Sequence, residues 1–156
     1  MNRLKNSLCY LCGAMDRVTD GGVGWRGNIT PKLQELGIGV LNPCDKPSDY
    51  ALENEETRDI LNNLKRAQKY DELTDHMKPI CAVDLRMVDI AHFIVMSVDV
   101  DAHLCGSYHE AAVAISQKKP VIVMCKQGKQ NLPNWLFGVI PHEMVFSNWS
   151  EVLEYL

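Results

Sequence analysis

The stretch "HFIVMSVDVDAHLCGSYHEAAVAISQKKPVIVMC", residues 92–125, decides the fold. It runs from one apolar segment, "HFIVMSV" (92–98), through a small-residue loop and the helix-patterned "SYHEAAVAISQKK" into a second, "PVIVMC" (120–125). Short continuous apolar runs are what parallel strands show when helices cover both faces of their sheet. A strand, helix and strand in that order close by a right-handed crossover. Working outward, "SLCYLC" (7–12), "GIGVLNP" (37–43) and "EMVFS" (143–147) read as three more strands. Trp25, Ile29, Leu33 and Leu36 recur at helical spacing, with Thr30 and Pro31 placed to restart that helix as N-cap and first residue. "DYALENEETRDILNNLKRAQKYDEL" (49–73) predicts a long polar helix with Leu52, Ile60, Leu61 and Leu64 on its inner side, and "MKPICAVDLRMVDIA" (77–91) another.

The sum is an α/β three-layer sandwich: a doubly wound, five-stranded parallel sheet of the flavodoxin- or Rossmann-like kind. Its 156 residues fit one domain, 1–156. Ligands of such sheets bind beyond the carboxyl ends of the strands, which selects the loops after Cys12, Pro43, Val98 and Cys125. A formal net charge of -4 argues against a polymeric nucleic acid as partner, because phosphate binding needs clustered Lys and Arg. The basic run "NNLKRAQK" (62–69) reads as a solvated helix face. The apolar stretch near the N-terminus is broken by Cys, Tyr and Gly and is too short to span a bilayer, so no membrane segment or signal peptide is expected and the expected location is cytoplasmic.

Six cysteines, at 9, 12, 44, 81, 105 and 125, sit largely in apolar runs and read as reduced, packed thiols. Cys9 and Cys12 have zinc-knuckle spacing. On a strand, however, i and i+3 point to opposite faces and no second pair follows, so neither a metal nor a cofactor is expected. "GVGWRG" (22–27) matches the dinucleotide fingerprint by letter, but it starts well past the first strand and no acidic residue closes a second strand. It reads as a glycine-rich active-site loop or a flexible helix start. Ser107-Tyr108-His109-Glu110 has the form of a capping box, worth about 1 kcal/mol and no chemistry. Against that, the loop before it is small, it follows a strand end, and its helix is nearly all Ala, Val and Ile. A carboxylate at a helix N-terminus is also kept ionised by the dipole and is then available as a nucleophile. Asp84, with Asp89 one residue beyond i+4 from it, reads by itself as a surface residue. Trp25 is suited either to stacking on a nucleobase or to packing, Trp135 likewise, and Trp149 to packing the last helix. His92 reads as structural, while His103 and His109 flank the loop near Glu110.

Taken together, these segments resemble the nucleoside 2-deoxyribosyltransferase family, including its relatives that hydrolyse 2′-deoxynucleoside 5′-phosphates. The resemblance rests on "CYLCGAMD", "VDLRMVDIAHFIVMSV", "CGSYHEAAVAISQKKPVIVM" and "LPNWLFGVI", in that order across nearly the whole chain. It implies that Glu110 attacks C1′ of the sugar, that Asp84 contacts the leaving base and supplies its proton, and that Tyr10 orients Glu110 or the sugar. It further implies substrate-binding positions at Gly13, Ala14, Met15, Asp16, Gly106, Ser107, Asn134 and Leu136. The last two match a family position that often reaches into a neighbouring subunit's site, so a homodimer or larger homo-oligomer with shared sites is implied. The partner is a small-molecule nucleoside or nucleotide. The chain departs from the pattern at Leu104, where transferases commonly carry an Asp that holds the sugar hydroxyls; Asp101 or His103 would have to substitute. For a phosphate, Arg17, Arg26 and Ser107 would be the cradle, with Asp16 repelling it. Transfer to a second base, transfer to water, and nucleotide sensing with Glu110 reduced to a cap all stay open at this level.

Overall fold

In the computed structural model, which describes residues 3–46 and 51–156, five parallel strands lie in the order β2-β1-β3-β4-β5. The strands are β1 (Leu8–Gly13), β2 (Gly39–Leu41), β3 (Phe93–Val98), β4 (Val121–Cys125) and β5 (Val145–Phe146). The helices are α1 (Val23–Glu35), α2 (Glu55–Arg66), α3 (Tyr70–Ile90), α4 (Cys105–Ser116), α5 (Asn134–Val139) and α6 (Trp149–Tyr155). The expected α/β architecture therefore forms. The strand order changes direction at β1 and β3, which opens a crevice beyond their carboxyl ends.

The period-2 alternation of the strands divides the core. Tyr10, Cys12, Ile94, Met96, Val121 and Val123 face one way, against Met87 and Val88 of α3, Ala111 and Ala114 of α4 and Leu136 of α5. Cys9, Leu11, Phe93, Val95, Ile122 and Met124 face the other, against Ile29 and Leu33 of α1 and Val152 of α6. Cys9 and Cys12 thus lie in different layers, as their i, i+3 spacing on a strand requires. His92 is structural, its Nδ1 accepting from the Leu8 N–H at 2.8 Å. Trp25 stacks on Trp149, centroids 5.4 Å apart, which assigns both to packing. Among the described residues no helix is long and apolar enough to cross a membrane.

Three boundaries differ from the sequence expectation. Helix α1 runs unbroken through Pro31, and Thr30 donates from its hydroxyl to the Arg26 carbonyl at 2.7 Å instead of capping a new helix. The helical stretch expected over 49–73 begins outside the described residues. Its described part holds α2, with Asn54 as cap and no buried residue, and then the start of α3; Ile60 is exposed, because α2 packs mainly on α3 and not on the sheet. The break comes at 67–69, where Gln68 has φ 56°, so α3 starts seven residues before Met77 and carries Pro79 inside it.

Candidate active site

Helix α4 begins at Cys105, with Leu104 in the cap position and no side chain capping it. The capping box is therefore not formed. Ser107 lies in the first turn, buried, and its hydroxyl makes no hydrogen bond among the described residues. Ser107, Ala111 and Ala114 make the buried stripe of α4 at i, i+4 and i+7, and Glu110 lies three residues from Ser107 and four from Ala114. Small residues on that stripe let the helix come close to the sheet. Glu110 can then reach β1, where its Oε1 accepts from the Tyr10 hydroxyl at 3.0 Å and its Oε2 from the Cys12 thiol at 3.3 Å. Tyr10 and Cys12 share a strand face, so both donors come from one i, i+2 pair. Cys12 also lies 3.2 Å from the Ser107 carbonyl, an alternative acceptor for its single proton.

Electrostatics depart from the dipole argument. Glu110 is in the second turn, past the reach of the helix terminus, and burial pushes its carboxyl above the ordinary range. The Cys12 and Tyr10 donors and the Arg26 charge oppose that rise, while the Glu53 charge adds to it. Burial, then the charge of Glu110, drives Tyr10 and Cys12 well above their ordinary values, so both keep their protons near neutrality.

Asp84 is buried on α3, on the stripe formed with Ile80, Met87 and Val88, which corrects the surface reading it has by itself. Its Oδ1 is 2.9 Å from the Lys46 ammonium, a charge contact in which it accepts no well-aligned hydrogen bond. Lys46 donates to the Ala51 carbonyl at 2.9 Å and to Glu53 Oε2 at 2.5 Å. One cation therefore serves two carboxyl groups. Burial, followed by the Glu53 charge, raises the Asp84 carboxyl to about 8, against the pull of Lys46. Burial works against the Lys46 charge, but Glu53 and Asp84 outweigh it and hold the ammonium above the ordinary lysine range. A carboxyl that titrates near neutrality beside a second carboxyl is the arrangement general acid catalysis needs.

Glu110, Asp84 and Tyr10 are thus brought into one charge-coupled group. Sequence reasoning missed Cys12, Lys46 and Glu53; the alternation Tyr10-x-Cys12 was the available signal for the first. Met15 and Asp16 line an open cavity of about 790 Å³ together with Asp20, Glu53, Glu55 and Arg58. Ala14 is buried in the core, and Gly106 has open space where a Cβ would project. Gly13 has a packing reason: a Cβ there would come within 2.7 Å of the Trp25 ring. Asn134 is exposed at the start of α5, whereas Leu136 is buried in this chain's own core. Of the two residues considered in place of the Asp missing at Leu104, Asp101 accepts through Oδ2 from Gln127 at 3.2 Å and His103 Nε2 is 3.3 Å from Arg17. Arg26 is buried and donates to backbone carbonyls, so it is not available to a phosphate. A smaller hollow of about 430 Å³ between α4 and α5 contains none of the acidic groups.

No protein-family model and no curated protein matches the chain. Among solved structures, it is similar to a 2-deoxyribosyltransferase from the psychrotolerant bacterium Bacillus psychrosaccharolyticus, with TM-score 0.66 and 16% identity over 96% of this chain and 93% of that one. It is also similar to a 2-deoxyribosyltransferase from Leishmania mexicana, with TM-score 0.59 and 13% identity over 96% of this chain and 95% of that one. At these identities the likeness establishes the fold, which extends over nearly the full length of both structures.

Proposed function

We propose that the protein cleaves the N-glycosidic bond of 2′-deoxynucleosides through Glu110 and transfers the sugar to a second base. One observation carries this reading: Glu110 on α4 accepts from Tyr10 and Cys12 of β1, and the charge of Glu110 bears on the buried Asp84 of α3, whose carboxyl is raised to about 8. The Glu110 carboxylate attacks C1′, the C1′–N bond breaks, and its electron pair goes to the base, which takes the Asp84 proton. An acceptor base then attacks C1′, expels Glu110 and returns a proton to Asp84. A 2-deoxy sugar lacks the electron-withdrawing 2′-hydroxyl, so an oxocarbenium-like transition state is accessible to this pair. The fold shared with two 2-deoxyribosyltransferases supports the reading.

The larger cavity is lined by Glu53 of this group and not by Glu110, Asp84 or Tyr10, and as the place for the outer part of the substrate its wall favours a nucleoside over its 5′-monophosphate. Asp16, Asp20, Glu53 and Glu55 outnumber Arg58 and Lys65, and a phosphate would add negative charge to an acidic wall. Ser107, whose hydroxyl has no partner among the described residues, is the substrate contact on α4. Of the two α5 positions, exposed Asn134 and not buried Leu136 can reach a neighbouring subunit, and we infer a homo-oligomer from it together with the exposed Trp135, Phe137 and Val139 of the same helix.

Incubation with each deoxynucleoside and its 5′-monophosphate, with and without an acceptor base, tests the reaction. Base release that requires an acceptor is expected, together with its loss to the uncatalysed level in Glu110→Gln. In Asp84→Asn the expected loss of kcat/KM is about 10²- to 10⁴-fold with the fold intact. Release without an acceptor would make water the second substrate, and unimpaired turnover in Glu110→Gln would remove Glu110 from the chemistry.

A further inference from the structure

Strand β2 pairs with β1 only from Leu8 to Tyr10, opposite Gly39 to Leu41. Beyond Tyr10 the β2-facing edge of β1 has no strand beside it among the described residues. The carbonyls on that edge alternate: Ser7 accepts from Gly39 N, and two positions apart further along come those of Leu11 and Gly13. Arg26, from α1, fills the gap. Its Nε donates to the Leu11 carbonyl at 3.3 Å and its Nη2 to the Gly13 carbonyl at 2.8 Å. Its Nη1 donates to the Gly22 carbonyl at 2.8 Å, and its guanidinium lies 4.6 Å over the Trp25 ring.

This arrangement explains "GVGWRG", which the reaction leaves unused. Gly22 has φ 80°, and a Cβ there would stand 2.3 Å from both the Ala14 carbonyl oxygen and Arg26 Nη1. The first glycine of the motif is therefore where the Arg26 guanidinium passes. Arg26 is 1% exposed and forms no ion pair among the described residues. The other buried cation among them, Lys46, is already paired with Glu53 and Asp84. A buried charge satisfied only by carbonyl dipoles is costly and keeps its field.

We propose that Arg26 is a positioning residue for Glu110: it takes the place of a strand along the end of β1, fixing Cys12 and Gly13, and stands as a permanent positive charge behind the carboxylate. The inference rests on the reading of Glu110 as nucleophile. The groups that bear on Glu110 include Tyr10 and Cys12 from β1, Arg26 from α1, Asp84 and Cys81 from α3 and Glu53 before α2, with the Lys46 ammonium bound between Asp84 and Glu53. Of the two cations here, Lys46 is held by Asp84 and Glu53, and Arg26 is the one with no ion pair among the described residues. It favours the ionised Glu110 against burial and the Glu53 charge.

Carboxyl-¹³C NMR titration of Glu110 tests this without reference to turnover. In Arg26→Gln the Glu110 midpoint is expected to move up by roughly one pH unit, with Arg26→Lys restoring part of the difference. In kinetics the acid limb of kcat/KM moves up by the same interval, whereas a purely structural role would lower Tm and leave the limb in place. Should Arg26→Gln fail to fold, the reciprocal measurement uses the wild-type protein. The Arg26 ¹⁵Nε signal is then expected to titrate with the Glu110 midpoint and to lose that titration in Glu110→Gln. An unmoved midpoint in a folded variant, or an Arg26 signal indifferent to Glu110, would overturn the proposal. Absence of turnover in a wild-type protein that shows both NMR effects would instead count against the reaction.

Discussion

Tyr10 and Cys12 hold their protons because burial and neighbouring carboxyl groups make their ionisation costly, so both act on Glu110 as donors. The Tyr10 ring is fully buried, and Phe fills the same volume without the hydroxyl. A hydrogen bond to a charged group is worth about 1.5–3 kcal/mol. In Tyr10→Phe the Glu110 carboxyl should therefore rise further, and kcat/KM on the acid side of the profile should fall about tenfold to a hundredfold, with much less change near the optimum. Equal losses at every pH would show that Tyr10 positions the sugar and not the carboxylate. At this scale the sequence displays Glu110 well, because a charge interrupting an Ala-rich stretch is visible along one helix. Asp84 is visible too, once it is placed on the 80/84/87/88 stripe. Lys46 and Glu53 are not: their meaning is a three-body charge contact with a helix about forty residues away, and no local pattern announces it.

Helix ends show why one motif reads two ways. Ser107-x-x-Glu110 and Asn148-x-x-Glu151 have the same form. Only the second is a cap: Asn148 Oδ1 accepts from the Glu151 N–H at 3.0 Å, and Glu151 returns its carboxylate to Asn148 Nδ2 and the Ser147 N–H, each at 2.9 Å. What separates them is where the helix starts. The loop after β3 is short and delivers Leu104 into the core, so α4 is already under way at Cys105 and carries Glu110 into its second turn. Asn148→Ala should cost about 1 kcal/mol in urea denaturation. Ser107→Ala should change stability by less than about 0.5 kcal/mol while raising KM for the nucleoside. A loss in Ser107→Ala as large as that in Asn148→Ala would reinstate the capping box. The strands were legible to within two residues at each end because their apolar runs are continuous. The α2–α3 break was not, since Gln68 turns the chain without a Gly or Pro to mark it.

For the molecule as a whole, the raised carboxyl of Asp84 links folding to activity. In the unfolded chain an Asp ionises near 4, about 3.9, whereas in the fold this one does so at about 8. Between those values the native state binds a proton that the unfolded state has lost, so stability declines as pH rises through the interval and levels off above it. Lys46 is raised as well, but it titrates above this window, so the stability that its shift contributes is present throughout it. Glu110, also raised, adds a smaller decline of the same sign. The proposed reaction requires ionised Glu110 and protonated Asp84, so on that proposal kcat/KM should follow a bell whose basic limb lies near 8. In Asp84→Asn the gap in unfolding free energy between pH 5 and pH 8.5 should shrink, leaving the Glu110 part, and the comparison with wild type cancels the histidines. Urea denaturation at those two pH values, set beside the wild-type pH–rate profile, decides the matter. If the gap is unchanged, Lys46 holds Asp84 ionised in the fold, and the proton for the leaving base must come from another group.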